Sequence, residues 1–142
     1  MVNDIINAIS AKLYETFGDG YEIYKENIEQ GLVEPCFSIV VLQAGITAQL
    51  PTRYLKTHAF DIHYFPKDKN NAKAECYTVA EELLMALEYI NSLDNLWHGN
   101  KINYEIVDGV LHFFVNYDMF VKKQIEGTEH MQTVKTKSTV EG

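Results

Sequence analysis

The chain predicts an α+β fold: a single domain with a mainly antiparallel sheet of about five strands and two helices packed on one of its faces. Three observations predict it. Tyr104 to Asp118 reads YEIVDGVLHFFVNYD, in which Asp108-Gly109 supplies the positive-φ pair of a type I′ turn. Around that turn apolar residues alternate, with Ile102, Tyr104 and Ile106 before it and Leu111, Phe113, Val115 and Tyr117 after it. Two other segments repeat apolar residues at three- and four-residue spacing, the period of an amphipathic helix. Between them lie two runs of strand character, which sets the order α-β-β-β-α-β-β and places both helices on one side of the sheet.

Ile5, Ile6, Ile9, Leu13 and Phe17 form the stripe of the first helix, with Asn3 as its cap and Gly18 or Gly20 as its stop. A short strand follows around Tyr21 to Lys25, then an acidic connection to Gly31. After Pro35 comes CFSIVVL, a continuous apolar run with β-branched residues at its middle, expected as an interior strand at the sheet centre. GITAQLPT, Gly45 to Thr52, is too polar for core, and Pro51 lacks a ladder donor, so this segment is a loop or the tip of a projecting hairpin. Arg53 to Phe65 returns to strand, with Phe60, Ile62 and Tyr64 on one face and Asp61 and His63 on the other. Pro66 and the turn-forming KDKNN end it; Asn70 or Asn71 caps a second helix whose stripe runs from Cys76 through Val79, Ala80, Leu83, Leu84, Leu87 and Ile90 to Leu93. Asn91 to Asn100, with Trp97, connects to the closing hairpin. The domain is expected over residues 1–121. From 122 to 142 the chain is polar, rich in Thr and Lys and without sustained period, which predicts a mobile tail that orders only against a neighbour.

At 142 residues the chain is long enough to bury roughly 68–70% of its unfolded surface. Its apolar share of 46% excludes disorder for the body of the chain. A net charge of -8 with a single arginine, Arg53, argues against nucleic-acid binding, which needs clustered cations on phosphates. Cys36 and Cys76 fall at apolar positions and read as unpaired buried thiols of a reducing cytoplasm. No signal peptide or membrane-spanning run is evident.

Chemistry-bearing patterns are sparse. Asp61 and His63 alternate onto one face, but as a pair they fall short of a metal site, and His58 points the other way. Neither cysteine has a CxxC partner, and the nucleotide, serine-hydrolase and zinc-protease signatures are missing. Glu22, Glu26, Glu29 and Glu34 lack the Asp/Asn spacing and Gly of a calcium loop and read as a solvated face. No catalytic, cofactor or metal residues are therefore expected. Tyr21, Tyr24, Tyr54, Tyr64, Tyr104, Tyr117 and Trp97 exceed what one small core would hold, which places some of them in interfaces.

Three segments carry a family resemblance: Asp4 to Ile39, DIINAISAKLYETFGDGYEIYKENIEQGLVEPCFSI; Arg53 to Pro66, RYLKTHAFDIHYFP; and Tyr104 to Val121, YEIVDGVLHFFVNYDMFV. Together they resemble the tail terminator family of bacteriophages and prophages of Gram-positive bacteria, a likeness of whole segments with no catalytic signature. The resemblance implies a structural subunit of the virion tail, assembled in the host cytoplasm. It forms a ring, typically a hexamer, on the head-proximal end of the tail tube, stops tube polymerisation and provides the surface to which the head docks. The implied partners are copies of itself, the tail tube protein and a head-completion or connector protein, with genome DNA passing through unbound. An acidic chain suits such a conduit. The expected interface residues are Gly45, Ile46, Gln49, Leu50, Arg53, Tyr54, Asp61 and His63. The same sequence is compatible with a head-tail connector or tail completion subunit. Two other classes compete: a monomeric ligand-binding module with a pocket near Trp97 and His98, and, ranked last, an enzyme resting on Asp61 and His63.

Overall fold

The computed structural model describes residues 1–27, 30–50, 52–125 and 134–137. Helix α1 spans Val2–Phe17 and α2 spans Ala72–Ala86, with a short 3-10 turn at Lys69–Asn71 before α2. The strands are β1 (Glu22–Tyr24), β2 (Cys36–Leu50), β3 (Arg53–Phe65), β4 (Tyr89–Ser92), β5 (Asn95–Val107), β6 (Val110–Ile125) and β7 (Val134–Lys137). They form one sheet in the order β1-β2-β3-β6-β5-β4, with β7 on β6. Among the described residues only the β1–β2 pairing is parallel. The α+β class and the helices on one face are as the sequence predicts.

One core forms between the helices and the sheet. Ile5, Ile9 and Leu13 of α1 and Cys76, Val79, Ala80 and Leu83 of α2 meet Phe37, Ile39, Phe60, Ile62, Tyr64, Leu111, Phe113, Val115 and Tyr117, all buried. Residues paired across a ladder share a face, and the registers Phe37↔Tyr64, Ile39↔Ile62, Ile62↔Phe113 and Phe60↔Val115 line these sheet residues up on the helix side. The β5–β6 turn has Asp108 at φ 52° and Gly109 at φ 78°, the left-handed pair that its Asp-Gly sequence demands.

Several local expectations are corrected. The sheet centre is the β3–β6 pair; β2 lies one strand from the edge, and its CFSIVVL run is buried only to Ile39, with Val41 38% and Leu42 54% exposed. Helix α2 stops at Ala86, and the segment expected to be its last turn and a connection is a β4–β5 hairpin turning at Leu93, φ 55°. The Leu87 amide makes the last helical bond, to the Leu83 carbonyl at 2.9 Å, and two tertiary bonds fix the stop: the Tyr117 hydroxyl donates to the Leu87 carbonyl at 2.6 Å, and the Gly99 amide donates to the Glu88 carbonyl at 2.7 Å. Gly99 must be glycine there, because an added Cβ would lie 2.9 Å from both the Leu87 oxygen and Val115 Cγ2. Neither Asn3 nor Asn71 caps a helix with its side chain: Met1 occupies the N-cap of α1, and Asp68 accepts from the Asn70 amide at the 3-10 turn. Gly18, φ 84°, ends α1 as expected.

The aromatic surplus divides between the core and partly open positions. Tyr64, Tyr117 and Trp97 are buried, while Tyr21, Tyr24, Tyr54 and Tyr104 are half-buried. Both cysteines are free and buried, and burial, the larger cause, with the nearby Glu34 pushes the Cys36 thiol up to about 11. Strand β6 runs past residue 121 to Ile125, and β7 pairs with its end at Lys122↔Lys137 and Ile125↔Val134. The rest of the expected tail, 126–133 and 138–142, lies outside the described residues, as does Glu29 of the acidic group.

Candidate functional site: the open sheet face and the projecting arm

Strands β2 and β3 are 15 and 13 residues long, and their turn ends run on as an antiparallel arm past Ile39, the last buried residue of the β2 apolar run. Its ladder continues through Gly45↔Thr57, Ile46↔Lys56, Thr47↔Leu55 and Ala48↔Tyr54 to Leu50↔Arg53. The described residues of the GITAQLPT segment, 45–50 and 52, therefore belong to a hairpin, the second of the two alternatives its sequence allows, and Pro51 lies outside the described residues. A bulge between Val41 and Gln43 marks where the arm leaves the body, and a second falls at Gln49. Strand β6 flanks the arm on its other edge, with Arg53↔Lys122, Tyr54↔Val121 and Leu55↔Phe120.

On β2 the arm exposes apolar surface, while Met119 and Val121 of β6, in register with Lys56 and Tyr54, stay buried in the core. Val41, Leu42 and Ile46 are 38%, 54% and 55% exposed within six residues of one strand. Arg53 lies at the tip with its guanidinium carbon 5.2 Å from the Phe120 ring centroid, so the only arginine in the chain is held against an aromatic face. Of the eight expected interface residues, six (Gly45, Ile46, Gln49, Leu50, Arg53 and Tyr54) fall on this arm. Gly45 needs no special backbone, since an added Cβ would meet only Thr57 Oγ1 at 3.8 Å.

Asp61 and His63 lie elsewhere, on the sheet face away from the helices and nearer the body end of β3. There the register places His112 of β6 directly opposite His63. Asp61 Oδ2 accepts from His63 Nε2 at 2.9 Å and from His112 Nδ1 at 3.1 Å, and the two imidazole centroids are 4.5 Å apart. His112, an outward-facing residue of the closing hairpin, thus completes a three-residue group with the Asp61–His63 pair. The signal was present in sequence as a histidine on the outward alternation of each strand, but their pairing, 49 residues apart, was not. Among the described residues no serine, threonine or cysteine hydrogen-bonds to this group.

Trp97 and His98 do not converge on a pocket. As neighbours on β5 they face opposite ways: Trp97 is buried with its ring edge-on to His58 at 5.6 Å, and His98 is exposed and stacked on Tyr89 at 4.6 Å. Burial, the dominant cause, lowers the His58 pKa and keeps the ring neutral while it bonds the Tyr117 carbonyl at 3.0 Å. Among the described residues no helix is long and apolar enough to cross a membrane.

Fold and surfaces together define a small α+β subunit with one helix-covered sheet face, one open face and a projecting β-arm. Residues 4–129 match the family model described as phage tail terminator protein, and the chain belongs to that family. The search of curated proteins returns no match. The protein is accordingly a structural component of a phage tail.

Proposed function

We propose that this subunit closes into a ring, a hexamer, on the head-proximal end of the tail tube, stops tube growth and presents the surface on which the head docks. The observation that carries this reading is the arm. A strand that runs on past its buried residues and exposes Val41, Leu42 and Ile46 offers apolar surface suited to contact with another chain. Ring contacts are head-to-tail, so the arm of one copy meets a different surface of the next, and the open sheet face is available as that surface. A charge of -8 keeps the channel from holding DNA as it passes. The subunit fastens components together and turns over no substrate.

Electron microscopy of the purified protein, alone and mixed with growing tail tubes, tests the proposal. Rings at high concentration and tubes of limited length with a cap at one end are expected. A protein that stays monomeric while tubes elongate past it would overturn the reading.

A further inference from the structure

The Asp61–His63–His112 group is built more like a metal site than a solvated polar pair. Asp61 is 7% exposed, and its Oδ1 is buried with no hydrogen-bond partner. An orphaned carboxylate oxygen in a sheet face is costly unless something else satisfies the group. The three side chains are only 9%, 14% and 24% exposed, so solvent does not explain them. His63 Nε2, His112 Nδ1 and one Asp61 oxygen all lie within 4.8 Å of one another, two of the separations being 2.9 and 3.1 Å. Ligand atoms at about 2.0–2.1 Å from a tetrahedral zinc are roughly 3.3 Å apart, so an ion fits between these atoms with small side-chain rotations. The frame is rigid, because Asp61 and His63 stand on β3 and His112 on the paired β6, with buried Ile62 and Phe113 behind them.

We propose that Asp61, His63 and His112 bind one divalent transition-metal ion, Zn²⁺, through Asp61 Oδ, His63 Nε2 and His112 Nδ1. Two imidazoles and one carboxylate suit zinc, whereas Mg²⁺ and Ca²⁺ take all-oxygen sets. On binding, each neutral ring carries its proton on the far nitrogen, Nδ1 of His63 and Nε2 of His112, and the near nitrogen donates its lone pair to the ion. Three protein ligands leave a fourth position, which faces a cleft of about 400 Å³ lined by His63, Phe65, His112, Leu32 and the Val107–Val110 turn with Asp108. The ion ties β3 to β6 on the face the helices leave bare.

The test uses the full chain, stripped with chelator and titrated with Zn²⁺ by calorimetry and with Co²⁺ by visible absorbance. One equivalent per chain is expected, with tetrahedral d–d bands for Co²⁺. His63→Gln and His112→Gln should each weaken Zn²⁺ binding at least tenfold, and His98→Gln should leave it unchanged. Histidine ring-nitrogen NMR of the unmutated protein gives a reading that does not rely on variants folding: Zn²⁺ should shift the resonances of His63 and His112 and leave those of His58 and His98 in place. Failure to bind Zn²⁺, binding that survives both glutamine variants, or shifts confined to other histidines would each overturn the site.

Discussion

Strands β2 and β3 are one hairpin with two lives. At the body end, Phe37, Ile39, Phe60, Ile62 and Tyr64 are sealed beneath two helices; at the arm end, Val41, Leu42 and Ile46 stand in the open. Both ends keep the same ladder, so backbone pairing does not distinguish them. What differs is the layer above. In the proposed ring, the exposed length of β2 beyond the buried core is surface held for another chain, and stability and assembly are carried by different residues of the same element.

Substitutions at the body end should cost folding. Leu83→Ala, in the helix layer over the sheet, should lose about 2–5 kcal/mol through the cavity it leaves, read by chemical denaturation. Gly99→Ala forces a methyl against the Leu87 carbonyl and Val115, and should lose about 1–3 kcal/mol in the same assay. Next comes the ring of bonds around Glu75, whose carboxylate accepts from the Tyr64 hydroxyl and from the Lys67 and Asp68 amides at 2.8 and 3.0 Å. Burial opposes ionisation of Glu75, but those three donors outweigh it and hold its carboxyl below the ordinary 4.5. A depressed carboxylate stabilises the fold fully above its unfolded value and loses that contribution as pH falls through the folded one. The unfolding free energy should therefore drop as pH is lowered below about 4.5, and Glu75→Gln should cost about 1–2 kcal/mol at neutral pH and flatten that acid-side fall.

The smallest effect on stability should come from the arm. Leu42→Asp combined with Ile46→Asp should shift unfolding by no more than about 0.5 kcal/mol, the usual range at exposed positions, yet prevent ring formation in sedimentation and microscopy. Arg53→Glu should act in the same direction, with an added loss of roughly 0.5–1 kcal/mol from its contact with Phe120. If the arm substitutions unfold the chain, or if assembly proceeds normally without Leu42 and Ile46, the division between the two ends collapses.

Elements with strong local signals were legible in the sequence. The 3.6-residue stripe of α1 and the Asp-Gly turn between β5 and β6 appear where their patterns place them. The end of α2 was not legible, because Leu87, Ile90 and Leu93 continue the helical spacing while Ile90 and Ser92 also satisfy strand alternation. What decides between the two is tertiary: the Tyr117 hydroxyl and the Gly99 amide take carbonyls that another helical turn would have used. The burial of Tyr64 and Tyr117 was hidden for the same reason, since a tyrosine sits in a core only when its hydroxyl finds an acceptor, here Glu75 and Leu87. Six expected interface residues fell together on the arm because Gly, Pro and mixed polarity mark a tip locally. His112 was missed as a partner of His63 because strand register is set by packing across the sheet, and no local pattern reports it.

The bulge at the root of the arm has one more effect. A strand alternates sides strictly, so residues 37, 39 and 41 would hand the helix side on to Gln43, Gly45 and Thr47. Leaving Leu42 without a rung shifts that parity by one, and Ala44, Ile46 and Ala48 follow Phe37, Ile39 and Val41 on the same side instead. A single supernumerary residue thus extends the greasy side of the sheet outward beyond its roof, and deleting it would turn the far half of the strand over, hiding nothing and presenting glutamine and threonine in its place.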